Sequence, residues 1–330
     1  MNMRRNLTLA VTAALLVITG TACGDDDSGS SGASGSTKID IRLSPVVDGA
    51  PVFYAVSKGI FAKHGLDVTA SQAVSGGPAM IPTLLNGQIQ LGATGPGTLA
   101  PVWAQGLPVK YVAPLSFGGT DDTNAQERLI ATRKSGVKTL ADLPGKTIAV
   151  PTLNNMGQIT ISTLLEKNGV DPKSVKYIAV PYVEQQAALQ SGSIDIAFTT
   201  EPYFTQIGAA MQVTTLGAPG PAIGPSLPNF MVVGVDSYIE GHKGVIREFQ
   251  LALQEATDFL AKNPAEARAF AKSFTKIDDA TLAKIVMPVF SNDPNIQGLQ
   301  QIMDTAQKYG VINTKLDVQK YVIQYPLPAS

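Results

Sequence analysis

Asn86-Gly87-Gln88-Ile89-Gln90-Leu91 and Ser191-Gly192-Ser193-Ile194-Asp195-Ile196 are one short pattern written twice, once in each half of the chain. Each copy runs from a helix end through a glycine into a strand. Glycine is the usual C-terminal stop of a helix, because it enters the left-handed conformation without a Cβ penalty. Apolar residues alternating after it read as a strand. Around each copy the order is strand, turn with glycine or a small polar residue, helix, strand. That repetition predicts two similar α/β lobes with a cleft between them.

Working outward, residues 38–43 alternate polar and apolar and form a first strand. Ser44 to Pro51 is a turn, and 52–63 has Phe53, Val56, Ile60 and Phe61 near helical spacing, closed by His64-Gly65. Strands follow at 66–70, 91–94 and 109–115, with helices at 79–86 and from Gly95-Pro96-Gly97 to Gln105. After a polar stretch at 116–126, a strand at 127–133 opens the second set. It continues with a helical turn at 140–146, strands at 147–150, 175–180 and 194–199, and helices at 154–168 and 182–191. The Pro- and Gly-rich run 217–228 reads as a loop, 230–235 as a strand, and the remainder as helices at 244–263, 264–274, 278–287 and 294–309.

The first residues stand apart from this pattern. Arg4 and Arg5 precede an uncharged apolar run from Leu7 to Ile18, too short for a membrane span of about 20 residues but suited to a signal peptide. Gly20-Thr21-Ala22-Cys23 resembles a lipoprotein lipobox, with Gly20 where an apolar residue is usual; the alternative is ordinary secretory cleavage. Cys23 is the one cysteine of 330 residues, which excludes a disulfide framework within the chain. Residues 24–37, nearly all Gly, Ser and Asp, cannot bury apolar surface and are expected to be a disordered tether. With a net charge of -1, nothing provides the basic face that nucleic acid requires.

Several segments together carry a family resemblance: Ala50-Pro51-Val52-Phe53-Tyr54-Ala55, Lys58-Gly59-Ile60-Phe61-Ala62-Lys63-His64-Gly65-Leu66-Asp67-Val68, Ser75-Gly76-Gly77, Leu84-Leu85-Asn86-Gly87-Gln88-Ile89, Leu140-Ala141-Asp142-Leu143-Pro144-Gly145-Lys146, Leu164-Leu165-Glu166-Lys167-Asn168-Gly169-Val170, Ala187-Ala188-Leu189-Gln190-Ser191-Gly192 and Glu201-Pro202. In order and spacing the chain resembles the type 2 periplasmic-binding proteins of ABC importers, in the sulfonate/taurine/nitrate/thiamine-precursor (NMT1-like) branch. The resemblance implies an α/β fold of two lobes, each a mixed sheet flanked by helices, joined by crossings at 127–133 and 230–235. Lobe one is then 38–127 plus 237–330, and lobe two 128–236. It also implies a monomeric receptor held outside the cell membrane by lipid, delivering a small molecule to an importer permease.

A ligand in such a fold sits at the C-terminal ends of strands, where helix N-termini present free N–H groups. The candidates are Ser44, Asp48 and Gly49 before the first helix; Ser75, Gly76 and Gly77; Thr94 and Gly95; Phe117; Thr152, Asn154, Asn155, Met156 and Gly157; and Thr200 and Glu201. Each has a plainer reading as a cap, a loop residue or core. Backbone donors suit a small organic anion of the sulfonate type, with an aromatic acid or a pyrimidine as the alternative. Asp48 and Glu201 would repel an anion, so if either lines the cleft the ligand carries an amine or ring N–H, or the charge points away. Phe117, Tyr182, Tyr203 and Phe204 are possible aromatic walls. Neither G-x-G-x-x-G, a P-loop lysine nor G-x-S-x-G is present, and the two histidines, His64 and His242, stand in turns. The chain also lacks the cysteine-rich motif of the pyrimidine-forming enzymes of the superfamily. Binding without turnover, with no cofactor and no metal, is the expectation.

Overall fold

Two copies of one strand order, 2-1-3-n-4, underlie the computed structural model, which describes residues 36–73, 76–275, 277–326 and 328. The leader, Cys23, the tether up to residue 35, and Ser75 lie outside the described residues. In chain order the first half has β1 (Thr37–Leu43), α1 (Ala50–Ser57), α2 (Ile60–Lys63), β2 (Leu66–Gln72), α3 (Gly76–Leu85), β3 (Leu91–Thr94), α4 (Pro96–Ala104) and β4 (Val109–Phe117). The second has β5 (Arg128–Thr132), β6 (Thr147–Val150), α5 (Met156–Lys167), β7 (Lys176–Ala179), α6 (Tyr182–Ser191), β8 (Ile196–Thr199), α7 (Tyr203–Ala210) and β9 (Val213–Gly217). Then come α8 (Gly220–Ile223), β10 (Pro228–Val235), α9 (Asp236–Gly241), α10 (Lys243–Lys262), α11 (Pro264–Thr275), α12 (Asp279–Lys284), β11 (Val289–Phe290) and α13 (Ile296–Lys308).

The first sheet has the order β11-β4-β10-β3-β1-β2 and the second β7-β6-β8-β5-β9. In each, three parallel strands (β2-β1-β3 and β7-β6-β8) are followed by an antiparallel one. The antiparallel strand is exchanged. β5 enters the second sheet as soon as the chain leaves the first, and β10 returns to the first after the second is complete. The repeated glycines occupy equivalent places: Gly87 after α3 has φ +75° and Gly192 after α6 has φ +77°. A side chain at either would be strained in that conformation.

One boundary differs from the sequence expectation. The sequence expectation ends the second lobe at 236 with 230–235 as a crossing, whereas β10 pairs with β3 and β4 and so lies in the first sheet. A strand's local pattern marks it as a strand and says nothing of its neighbours. The helix expected over 52–63 is also two pieces. Lys58 caps α1, and Gly59 at φ +66° turns the chain into α2. Helix α7 and strand β9 have no counterpart in the sequence expectation.

Both faces of each sheet are covered. On the first, Phe61 stacks on Phe249 of α10 at 4.9 Å, within a cluster that includes Ile39, Ile41, Val232 and Leu253. Helix α10 buries Ile246, Phe249, Leu253, Ala256 and Leu260, a stripe at helical spacing. The opposite face carries α3, α4 and α13, with Trp103 Nε1 donating to the Val109 carbonyl at 2.8 Å. Leu129, Ile148, Ile161 and Phe198 form the core on one face of the second sheet, and Ile130, Leu189 and Ile207 on the other. Among the described residues no helix is long and apolar enough to cross a membrane.

Candidate functional site

A cavity of about 140 Å³ lies between the two sheets. The first-sheet side contributes Ser44, Pro45 and Val46 after β1, Asp48, Gly77 and Pro78 in the first turn of α3, and Thr94, Gly95, Gly97 and Thr98 from β3 into α4. Asn229 and Phe230 of β10 also line it. From the second come Pro151 and Thr152 after β6, Asn155, Met156 and Gly157 at the start of α5, Pro181, Tyr182 and Val183 at the start of α6, and Phe198 and Thr200 at the end of β8. Glu127 borders the cavity from the first crossing. Strand ends and helix starts converge because parallel strands all leave their sheet at the same edge.

Most of the expected residues are brought together here. Ser44, Asp48, Gly77, Thr94, Gly95, Thr152, Asn155, Met156, Gly157 and Thr200 line the cavity. Four described candidates do not. Gly49 is buried, where an added Cβ would lie 2.9 Å from Leu43 Cδ2. Phe117 ends β4, paired with Pro228 and Val289. Asn154 is exposed, with its N–H bonded to Gln158. The Glu201 carboxylate accepts from Thr205 and from the Val286 N–H. Gly76 is the first residue of α3, next to Gly77 of the lining. Sequence reasoning missed Glu127, Thr98, Phe198, Asn229 and Phe230. Glu127 and Asn229 stand at starts of strands, and nothing local marks them as partners of Asp48.

Asp48 is the organising group. It is 2% exposed. Ser116 Oγ donates to its Oδ1 at 2.5 Å, Asn229 Nδ2 to Oδ1 at 3.0 Å and Gln126 Nε2 to Oδ2 at 3.2 Å. Burial raises its pKa, and the three neutral donors pull it back. Glu127 is pushed up to about 7, first by burial and then by the Asp48 charge. Its neighbour Arg128 is turned away, donating to the carbonyls of Asp122, Ala125 and Glu127. Burial and then Glu127 also raise Tyr182 well above its ordinary value, so its phenol stays protonated and can donate. Among the described residues, none lining the cavity is Lys, Arg or His, and no group of His, Cys, Asp and Glu is placed to hold a metal ion.

Asn155 caps α5: its Oδ1 accepts from Gly157 N at 3.0 Å and its Nδ2 donates to Thr152 Oγ1 at 3.1 Å. The two side chains form one unit at the cavity wall. Thr152→Ala with Asn155→Ala is expected to cost about 1 kcal/mol of stability, the usual value of an N-cap, and to weaken solute binding about tenfold. Titration calorimetry beside a denaturant melt checks both, and full affinity with the stability loss would leave the pair a structural role alone.

The chain is similar to proteins of one kind. A Brucella abortus protein named as a binding protein is 26% identical, over 97% of this chain and 98% of that one. The taurine-binding periplasmic protein of Escherichia coli K12 is 23% identical, over 68% of each. Among solved structures, the alkanesulfonate-binding protein SsuA of Xanthomonas axonopodis superposes with a TM-score of 0.71 at 18% identity, over 87% of this chain and 98% of that one. Its fold is therefore the one described here. Residues 47–267 match the profile of the family described as NMT1/THI5 like, a span that contains β10, both crossings and all of the cavity lining except Ser44, Pro45 and Val46, and the chain belongs to that family.

Proposed function

We propose that this chain, an ABC-importer solute receptor, takes a small solute that carries an amine or ring N–H. It holds that solute between two lobes that close on it: 38–127 with 228–330, and 128–227. The observation that carries the ligand reading is the charge of the cavity. Asp48 and Glu127 face it, and no basic side chain does. A bare anion would meet two carboxylates with only helix N-termini to balance them, each equivalent to roughly half a charge. A solute with a donor for the carboxylates and an acceptor for the first N–H groups of α4, α5 and α6 satisfies both. Tyr182, Phe198 and Phe230 offer walls to a flat or apolar body. An amino-sulfonate or an aminopyrimidine meets these demands, and a simple sulfonate or nitrate does not.

Binding without turnover is part of the same reading. The cavity offers carboxylates, hydroxyls and amides, but neither a His–Ser nor a Cys–His pair. Taurine incubated with the protein should be recovered unchanged by mass spectrometry. The deciding experiment is a thermal-shift series at pH 8 with taurine, 4-aminopyrimidine, ethanesulfonate and nitrate. A solute binding only the folded form at a hundred times its Kd adds about 2.7 kcal/mol, a rise of a few degrees. Taurine or the aminopyrimidine is expected to give it. A rise with ethanesulfonate or nitrate alone would return the reading to a bare anion.

The location follows from the leader. Acylation of Cys23 would tether the receptor to the outer face of the membrane, with the cavity reached from the aqueous side. Cys23→Ala is expected to move the protein from the membrane fraction to the soluble one, and unchanged retention would refute the anchor.

A further inference from the structure

Glu201 and Tyr203, two residues that the sequence suggested for the ligand site or its walls, span the gap between the lobes instead. Glu201 is 1% exposed and follows β8 of the second sheet. Its Oε1 accepts from Thr205 Oγ1 at 3.0 Å and from the Val286 N–H at 3.2 Å. Ile285 and Met287, on either side of Val286, pack with Val47 beside α1, so that N–H belongs to the first-sheet side. Two residues on, Tyr203 Oη donates to the Pro45 carbonyl at 3.2 Å, and Pro45 is cavity wall. The Tyr203 ring also stacks on Tyr182, wall of the opposite side, with centroids 5.7 Å apart and planes at 17°.

We infer that Glu201 and Tyr203 form a clasp that holds the two lobes closed over the cavity, with Tyr203 as a positioning residue that sets the Pro45 wall against the Tyr182 wall. The bonds to Val286 and Pro45 are made only when the lobes are together, so they bias the closed arrangement. Elsewhere Glu166 of α5 accepts from Lys308 and from Tyr309 Oη, also across the two sides. Both charges of that ion pair are exposed, Lys308 at 56% and Glu166 at 47%. Water replaces such a pair at little loss, so it serves as the control. The clasp is independent of which solute is bound, and its test uses none.

The test is the distance distribution between spin labels on Ser71→Cys in β2 and Lys176→Cys in β7, the outer strands of the two sheets. It is made in the full chain with Cys23→Ser. The wild type is expected to show a closed population. Tyr203→Phe keeps the stacked ring and removes the bond to Pro45. It is expected to raise the open-to-closed ratio about fivefold, the loss of one net hydrogen bond, with an unchanged melting temperature. Glu201→Ala should shift it further in the same direction, and Lys308→Ala should leave it unchanged. Three results would overturn the clasp: a wild type found only open, a Tyr203→Phe distribution matching the wild type, or an equal shift in Lys308→Ala. In the second of these, a melting temperature that falls in Tyr203→Phe would make Tyr203 a fold residue.

Discussion

At pH 8, Glu127→Gln is expected to stabilise the folded protein by up to about 3 kcal/mol while weakening binding of an ammonium-bearing solute such as taurine at least tenfold. The carboxyl of Glu127 has an ordinary pKa of 4.5, and in the fold it is pushed up to about 7 by burial and by Asp48. Between those two values the folded chain keeps a proton that the unfolded chain has released. Stability therefore falls as pH rises through that window, and above it the folded state bears the whole penalty. Each pH unit of the shift corresponds to about 1.4 kcal/mol. Glutamine has nearly the same shape and no charge, so it relieves the penalty at pH 8. Below about pH 4 both side chains are neutral and the two proteins should be equally stable. Binding runs the other way. A charge-assisted hydrogen bond contributes about 1.5–3 kcal/mol, and the variant lacks it. Taurine affinity in the wild type should also weaken as pH drops through 7, and that dependence should be absent from the variant. Denaturant melts and calorimetry at pH 4, 6 and 8 read all of this. Equal stability of the two proteins at pH 8 would remove the penalty, and equal affinity would remove Glu127 from the site. A receptor that keeps a destabilising carboxylate in its cleft has exchanged stability for recognition.

Gly97→Ala should lower solute affinity ten- to a hundredfold with little change in melting temperature. Gly97 is in the first turn of α4, on the first-sheet side. A Cβ placed on it would lie 2.1 Å from the backbone nitrogen of Met156 and 2.7 Å from its Cα. Met156 is the first residue of α5, on the second-sheet side. A backbone cannot swing aside as a side chain can, so the lobes must part to admit the methyl group. Overpacking of this kind costs about 1–3 kcal/mol, and here the closed arrangement alone bears it. Affinity then falls with the closed fraction, while the open protein remains folded. The spin-label pair on Ser71→Cys and Lys176→Cys should report more open protein in this variant. Intact affinity would mean that the contact yields locally. A large drop in melting temperature would make it part of the core.

How far the residues alone reach is clear from particular elements. The helix-end glycines Gly87 and Gly192 announce a repeated α/β unit, and the strand orders β2-β1-β3-β10-β4 and β7-β6-β8-β5-β9 repeat accordingly. Strands β1, β3 and β6 and helix α6 lie within a residue of their expected places, because alternation and helical spacing are local signals. Helix α7 went unread, being one short piece with Gly208 inside it, and β9 is only half-buried and lacks a clean alternation. The expected residues that line the cavity stand where a strand runs into a helix, as at Thr94-Gly95, Thr152 and Asn155 to Gly157, since that junction is itself a local pattern.

By itself the sequence determined that strands and helices alternate in two similar sets, and the places of most of those elements. Those features depend on residues within a few positions of one another. Only the tertiary structure decided that β10 belongs to the first sheet, that Glu127 and Asp48 meet in one cavity, and that the Glu201 carboxylate accepts from the Val286 N–H rather than lining that cavity. Strand partners, charge pairs and burial are set by residues far apart in the chain, and the energy that shifts a carboxyl or closes a gap exists only once they are side by side.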